Sequence, residues 1–120
     1  MPTTALIVDD HPSFRRFAGK LLQAAGYVVV GEADDGASGI AAVRALRPDV
    51  VLLDVLLPDM NGLAVARELA ATPERPLVVL TSSRSASDLG ALVRTTDAKA
   101  FVSKSDLTVA ALAALIDEAA

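Results

Sequence analysis

Polar residues capable of metal and phosphate chemistry follow the short apolar runs of this sequence, at the points where those runs end. In chain order they are Asp9 and Asp10, then Asp54, Thr81 and Lys104. Three carboxylates brought to one place repel each other unless a cation is held between them. A carboxylate can also act as a nucleophile and form an aspartyl-phosphate. If the fold gathers these side chains, we expect a divalent-cation site with oxygen ligands.

Magnesium fits such a site better than zinc. The candidate ligands are carboxylates, a backbone carbonyl and water, and the chain has no cysteine, whereas zinc sites in proteins are usually built from Cys and His. His11 is the single histidine. Because it stands beside a predicted helix start, we interpret it as a surface or capping group rather than as a ligand.

The elements that position these residues alternate regularly along the chain. Short apolar, β-branched runs predict strands at 5–8, 28–31, 50–54, 77–81 and 100–103, and segments of helical period predict helices at 13–25, 36–47, 61–71, 86–96 and 107–118. Runs such as 50–53 are apolar throughout instead of alternating, as in a parallel sheet covered on both faces. The predicted fold is α/β, a doubly wound (βα)5 with five parallel strands. Ligands collect at the carboxyl ends of such strands, where the polar residues stand.

Composition limits the classes of protein to which the chain can belong. A chain of 120 residues with 52% hydrophobic and 22% charged residues predicts one folded domain over 1–120. The net charge of −4 and the lack of a basic run argue against direct nucleic-acid binding by this chain. No signal peptide or membrane span is recognisable, and there is no cysteine for disulfides. We therefore expect a cytoplasmic location and no membrane contact.

Four motifs in register resemble one known family. They are 6–12 (Leu-Ile-Val-Asp-Asp-His-Pro), 52–62 (Leu-Leu-Asp-Val-Leu-Leu-Pro-Asp-Met-Asn-Gly), 79–81 (Val-Leu-Thr) and 101–104 (Phe-Val-Ser-Lys). Together they resemble the receiver domain of two-component response regulators, and most closely the receivers of the LuxR-type, DNA-binding subgroup. The resemblance covers essentially the whole chain. It implies the flavodoxin-like (CheY-like) strand order 2-1-3-4-5.

The resemblance also assigns roles. The phosphoacceptor would be Asp54, and Mg²⁺ would be held by Asp10, Asp54 and the backbone carbonyl of Leu56, with Asp9 acting through water. The phosphoryl oxygens would be bound by Thr81 and Lys104, and Phe101 would be the aromatic switch residue. The implied phosphodonor is a sensor histidine kinase or a phosphotransfer protein. The domain would be a switch in signal transduction, at most catalysing its own phosphorylation and dephosphorylation, and any DNA-binding output domain would lie outside this chain.

Three alternative functions have weaker support in the sequence than a receiver domain. A magnesium-dependent phosphatase of the haloacid dehalogenase type would need Asp-x-Asp-x-Thr after the first strand, where this chain has Asp-Asp-His-Pro. A pseudo-receiver, a binding module without phosphorylation, is disfavoured because all the chemical positions are filled. A transcription factor is supported only through the subgroup resemblance.

Two helix surfaces are candidate contact sites for partners. In the first helix we expect Phe14, Ala18, Leu21 and Leu22 to face the core, and we expect the kinase to meet the exposed side, formed by Arg15, Arg16, Lys20 and Gln23. The last helix is apolar at every position from 109 to 116. Its bulkier residues should face the sheet, namely Val109, Leu112, Leu115 and Ile116. The opposite side, formed by Ala110, Ala113 and Ala114, would then be open to a second subunit or an effector domain.

Overall fold

The computed structural model describes residues 3–73, 76–83 and 100–119, with the side chains of 100 and 117–119 excepted. Five strands form one parallel sheet in the order β2-β1-β3-β4-β5. The strands are β1 (Thr4–Val8), β2 (Val28–Ala33), β3 (Val50–Asp54), β4 (Leu77–Ser82) and β5 (Ala100–Ser103). The described helices are α1 (Pro12–Ala24), α2 (Gly36–Leu46), α3 (Gly62–Ala70) and α4 (Val109–Ala119), with a 3-10 turn at Lys104–Asp106. The predicted fold and strand order are confirmed.

The element ends differ slightly from those predicted, for local reasons. β2 continues to Ala33, beyond its predicted end at 31, and its pairing with β1 shifts register between Ala5 and Leu6. The last helix begins at Val109 instead of 107, because the Thr108 hydroxyl accepts a hydrogen bond from the Ala111 amide at 3.0 Å and so caps the helix. The predicted helix at 86–96 lies outside the described residues.

Alternate side chains of each central strand enter two separate cores. On one face of the sheet, Leu6 and Val51 pack with Val65 of α3. On the other face, Ile7 and Leu52 pack with Leu22 of α1 and Ile116 of α4. This two-sided burial explains why residues 5–8 of β1 and 50–53 of β3 are apolar at every position. Among the described residues, no helix is long and apolar enough to cross a membrane.

Two aspartates from different loops satisfy the amino end of α2. Asp35 accepts a hydrogen bond from the Ser38 amide at 2.7 Å and is the N-cap residue. Asp59, which precedes α3, accepts from the Gly36 amide at 2.7 Å and the Ala37 amide at 3.0 Å. The negative charge of Asp59 also complements the positive end of the helix dipole. The loop after β3 is thereby tied to α2.

Candidate functional site

The sheet brings the predicted acidic residues together at one edge. Asp9 follows β1 directly and Asp54 ends β3, so neighbouring parallel strands deliver both carboxylates to the same rim. Both residues are buried, with 1% and 3% of their surfaces exposed. One ligand atom each from Asp9, Asp10, His11 and Asp54 lies within 4.8 Å of the others. A pair of buried carboxylates beside a more exposed one forms a donor set that suits a hard divalent cation.

Among residues 3–73, 76–83 and 100–119, Lys104 places its charged group nearest to these carboxylates. Its ammonium lies 2.7 Å from Asp9 Oδ2 and 3.3 Å from Asp54 Oδ2. The longer contact has hydrogen-bond geometry, whereas the shorter one is an ion pair without it. Only 16% of the lysine side chain is exposed, so the ammonium is largely removed from solvent. Because burial weakens screening by water, we expect these interactions to be stronger than those of a surface pair.

The protonation of Asp54 reflects four competing influences. Burial has the largest effect and raises the pKa of Asp54 above its ordinary value of 3.8. The Leu56 amide, which donates to Asp54 Oδ1 at 3.1 Å, lowers the pKa. The nearby charge of Asp9 raises it again, and Lys104 lowers it, which leaves the pKa raised overall. Lys104 therefore favours the ionised carboxylate, as a bound cation would.

His11 reaches the acidic cluster from the residue before α1. Its ring nitrogen Nδ1 lies 3.0 Å from Asp9 Oδ1 and 3.1 Å from Asp10 Oδ1, and its backbone amide donates to Asp9 Oδ1 at 2.8 Å. The residue occupies the N-cap position, as expected, but its side chain makes no capping hydrogen bond. The ring thus contacts both carboxylates while remaining mostly exposed.

Thr81 and Phe101 lie on the strands beyond Asp54. Thr81 of β4 is the sheet partner of Asp54, is 1% exposed, and its hydroxyl has no hydrogen-bond partner among the described residues. A buried hydroxyl without a partner is costly, so an acceptor or donor brought to it would be favourable. Phe101 of β5 pairs with Leu80 and is half-buried against the core on the α2 and α3 face.

A glycine fixes the loop that carries the proposed carbonyl ligand. A Cβ added at Gly62 would overlap the carbonyl oxygen of Asp54 and would stand 2.7 Å from the Val55 Cα. The absence of a side chain lets the Gly62 amide donate to the Val55 carbonyl at 2.7 Å. Leu56, inside this loop, also forms an isolated bridge with Asn61. The loop is therefore short and tightly closed behind Asp54.

The predicted exposed side of α1 is partly wrong. Arg16, Lys20 and Gln23 are exposed, but Arg15 is folded over the end of β1. Its Nη1 donates to the backbone carbonyl of Asp9 at 2.7 Å, and its Nε donates to Glu32 at 2.9 Å. Helical spacing alone missed this, because the partners come from β1 and β2.

Phe14 contacts the site as well as the core. It packs against the core on the α1 face, as predicted. The Lys104 ammonium also lies over its ring, 4.3 Å from the ring centroid. Helical periodicity placed Phe14 on the buried side and gave no sign of the second contact. The lysine that it meets lies 90 residues further along the chain.

The predicted orientation of the last helix is confirmed for most of its residues, but Val109 is not part of the core and Ala113 is half-buried instead of exposed. Leu112 and Ile116 of α4 are buried, and Leu115 packs at the edge of the same core. Ala110 and Ala114 are exposed on the opposite side. The exposed surface is made of small side chains, which permit close approach by another helix.

The chain belongs to the response regulator receiver domain family, whose pattern it matches over residues 5–116. It is therefore the receiver domain of a two-component response regulator, a class of domain that generally acts as a switch and not as an enzyme. The structure is similar to the signal receiver domain of the response regulator NarL from Mycobacterium tuberculosis, with a TM-score of 0.87 and 34% identity over 98% of this chain and 96% of that chain.

The curated relatives that the chain matches are longer than the matched region. The chain is 43% identical over 88 residues to a protein named transcriptional regulatory protein TcrX from Mycobacterium tuberculosis, covering 72% of this chain and 37% of the relative. It is 41% identical over 96 residues to protein-glutamate methylesterase/protein-glutamine glutaminase 4 from Geobacter metallireducens, covering 79% of this chain and 28% of that protein. The matched region thus spans about a third of each relative. Their names associate receivers of this kind with both transcriptional and enzymatic proteins.

Proposed function

We propose that this domain accepts a phosphoryl group on Asp54 from a sensor histidine kinase or a phosphotransfer protein, with the help of bound Mg²⁺. The observation that carries the proposal is the contact of a buried Asp54 carboxylate with the Lys104 ammonium, 3.3 Å away, inside a cluster of acidic groups. A candidate nucleophile, a candidate cation site and the positive charge of Lys104 therefore share one small volume. This combination suits phosphoryl transfer, which depends mainly on positioning and charge neutralisation.

The acidic residues would bind the ion in two ways, directly and through water. Asp10 and Asp54 would bind it directly with the Leu56 carbonyl, and Asp9 would act through water. When bound, Mg²⁺ would neutralise charge on the phosphoryl oxygens and keep the carboxylates from repelling each other. His11, in contact with both Asp9 and Asp10, would hold their carboxylates in place.

Asp54 would attack the phosphorus atom with a carboxylate oxygen. The bond between phosphorus and the donor breaks, its electron pair leaves with the donor, and an acyl phosphate remains on Asp54. The attacking carboxylate must be ionised. Burial raises the pKa of Asp54 and so opposes ionisation, whereas Lys104 lowers the pKa and favours ionisation. Lys104 is already beside the carboxylate, so little reorganisation is needed for its ammonium to bind a phosphoryl oxygen.

The phosphoryl group would change the structure through Thr81 and Phe101. The buried Thr81 hydroxyl, without a hydrogen-bond partner among residues 3–73, 76–83 and 100–119, would gain one in a phosphoryl oxygen. Its movement would alter β4 and make room for the half-buried Phe101 to turn inward. A local charge would thereby be converted into a changed surface near β5.

The domain would act in the cytoplasm as part of a longer regulator or with a separate partner. Arg16 and Lys20 of α1 offer an exposed basic surface for the kinase. The alanine side of α4 offers a surface for a second subunit or an effector domain. The name of TcrX supports a transcriptional output, and that output would lie outside the 120 residues. A pseudo-receiver that only binds partners is the alternative function.

Intact-mass spectrometry after incubation with Mg²⁺ and a small phosphodonor tests the proposal. We expect a single base-labile phosphoryl adduct that is absent from Asp54→Asn and is suppressed by excess chelator. Asp59→Asn is the matched control, because Asp59 is an aspartate of the same loop that caps α2 instead of facing the cluster. An adduct that persists in Asp54→Asn would rule out the assigned site, and no adduct in the wild type would favour the pseudo-receiver.

A further inference from the structure

The Lys104 side chain contacts an aromatic ring as well as the acidic cluster. The ammonium lies 4.3 Å from the centroid of Phe14, in the first turn of α1. This distance is well within the range of a cation–π interaction, which strengthens when the cation is shielded from water. With 16% of the lysine side chain exposed, the shielding is present.

The ring is held in place independently of the lysine. Arg15, the next residue, is bonded to the Asp9 carbonyl at 2.7 Å and to Glu32 at 2.9 Å, which fixes the first turn of α1 over the end of β1. Phe14 also packs against the core on the α1 face. The first turn of α1 and the Phe14 side chain therefore have anchoring contacts that do not involve Lys104.

Lysine needs such support more than most residues. Its four-carbon chain has many rotamers, and its ammonium is a point charge without the planar geometry that would select one orientation. Here Asp9 and Asp54 attract the ammonium from one side, and the ring face of Phe14 provides a third attractive surface. The three contacts together confine the charge to the position beside Asp54.

We propose that Phe14 is a positioning residue, whose ring face holds the Lys104 ammonium where it can bind the phosphoryl group. The inference rests on the proposed phosphorylation of Asp54. Phe14 does not touch the reacting atoms in this account, and it acts only through Lys104. An aliphatic side chain of similar size would fill the same space in the core but would leave the ammonium without its third contact.

Three substitutions distinguish the effect of the aromatic ring face of Phe14 from the effect of its packing in the core. Phe14→Leu removes the aromatic face and keeps most of the volume, whereas Phe14→Tyr keeps the face. Phe17→Leu is the matched control, because Phe17 lies on the same helix with its ring 6.3 Å from that of Phe14 and is 47% exposed. Thermal melting of each variant establishes that it is folded.

Two binding measurements provide the readout. In Phe14→Leu the affinity for beryllofluoride, a phosphoryl mimic, should fall about threefold to tenfold, while the affinity for Mg²⁺ alone should stay the same or rise. A packing defect would weaken both together. Phe14→Tyr and Phe17→Leu should bind the mimic like the wild type. Equal losses in Phe14→Leu and Phe14→Tyr, a parallel loss of Mg²⁺ affinity, or no change in Phe14→Leu would each overturn the proposal.

A spectroscopic measurement tests the contact even if Asp54 is not phosphorylated. The Lys104 ε-methylene protons should show an upfield ring-current shift in the wild type and in Phe14→Tyr, and should lose it in Phe14→Leu. An unshifted resonance in the wild type would refute the contact. Failure of the wild type to take up a phosphoryl group, with the ring-current shift present, would instead refute the proposed function and leave the contact standing.

Discussion

The ammonium of Lys104 lies closer to Asp9 than to Asp54, at 2.7 Å against 3.3 Å. The lysine thus forms ion pairs with both a candidate metal-binding residue and the candidate phosphoacceptor. An ammonium and a divalent cation attracted to the same carboxylates repel each other. The charge that assists phosphoryl binding therefore opposes binding of the ion.

Removing the Lys104 charge should strengthen Mg²⁺ binding. We expect Lys104→Met to raise the affinity roughly tenfold, because one positive charge within a few ångströms of the ion is lost. Titration calorimetry measures the affinity, with Lys20→Met, an exposed lysine on α1, as the control. Lys104→Met should also bind beryllofluoride more weakly than the wild type, because a charge-assisted contact worth about 1.5 to 3 kcal/mol is missing. Unchanged Mg²⁺ affinity in Lys104→Met would contradict the proposed repulsion between the Lys104 ammonium and the ion.

Gly62→Ala should destabilise the loop behind Asp54. The new Cβ would overlap the Asp54 carbonyl oxygen, so the backbone must shift, at a cost of about 1 to 3 kcal/mol. Gly19→Ala in α1 is the control, because its Cβ would meet Ile7 Cδ1 at an ordinary 3.7 Å. That helical site should gain roughly 0.5 to 1 kcal/mol. Urea unfolding of both variants checks the difference, and equal stabilities would show that the loop tolerates a side chain.

Asp59 should make the stability of the protein depend on acidic pH. The Gly36 and Ala37 amides lower the pKa of Asp59 below its ordinary value of 3.8. A lowered pKa means that the ionised group stabilises the fold above its unfolded pKa, and that this stability is lost as the pH falls through the folded pKa. The wild type should therefore lose more stability than Asp59→Asn as the pH decreases below about 5.

The midpoint of urea unfolding at a series of pH values measures this difference. Asp34→Asn is the control, since Asp34 is an exposed aspartate next to the N-cap residue of α2. Its pH profile should follow that of the wild type. Parallel profiles for the wild type and Asp59→Asn would show that the cap carries no charge-dependent stability.

The fold was predictable because its signals are local. The run Val50–Asp54 is apolar up to its last residue and rich in β-branched and leucine side chains, as is typical of a short strand covered on both faces. Gly26, with a φ of 94°, ends the first helix where a left-handed residue is needed. The start of the last helix was placed two residues early because Thr108 and Leu107 are compatible with a helix but serve as its entrance.

The site was predictable only in part, because some of its contacts join distant segments. Strand ends identified Asp9, Asp54 and Lys104, since parallel strands place their carboxyl ends together. Nothing in the spacing showed that Arg15 turns back onto the Asp9 carbonyl, or that Phe14 meets Lys104. Helical periodicity reports which side of a helix is buried, but not which polar group a long side chain reaches.

Because Arg15 is hydrogen-bonded to the Asp9 carbonyl, kinase docking is better tested at Arg16 and Lys20. Reversing Arg16 and Lys20 to Glu changes exposed charges only, whereas a change at Arg15 would also disturb Asp9. We expect the double variant to accept a phosphoryl group from a small donor at the wild-type rate but to accept it more slowly from the cognate kinase, with a dependence on salt. Radiolabelled transfer from the kinase measures the rate. Equal rates from the kinase would exclude this surface.

Reductive trapping of the acyl phosphate tests the central claim most directly. Borohydride converts a phosphorylated aspartate to homoserine, and trypsin should release residues 45–67 as one peptide because Arg47 precedes a proline. That peptide contains Asp49, Asp54 and Asp59, which fragmentation distinguishes. After incubation with Mg²⁺ and a phosphodonor, we predict homoserine at position 54 and unchanged aspartate at the other two. Homoserine at position 49 or 59, or at no position in a protein that carries a phosphoryl adduct, would contradict the account.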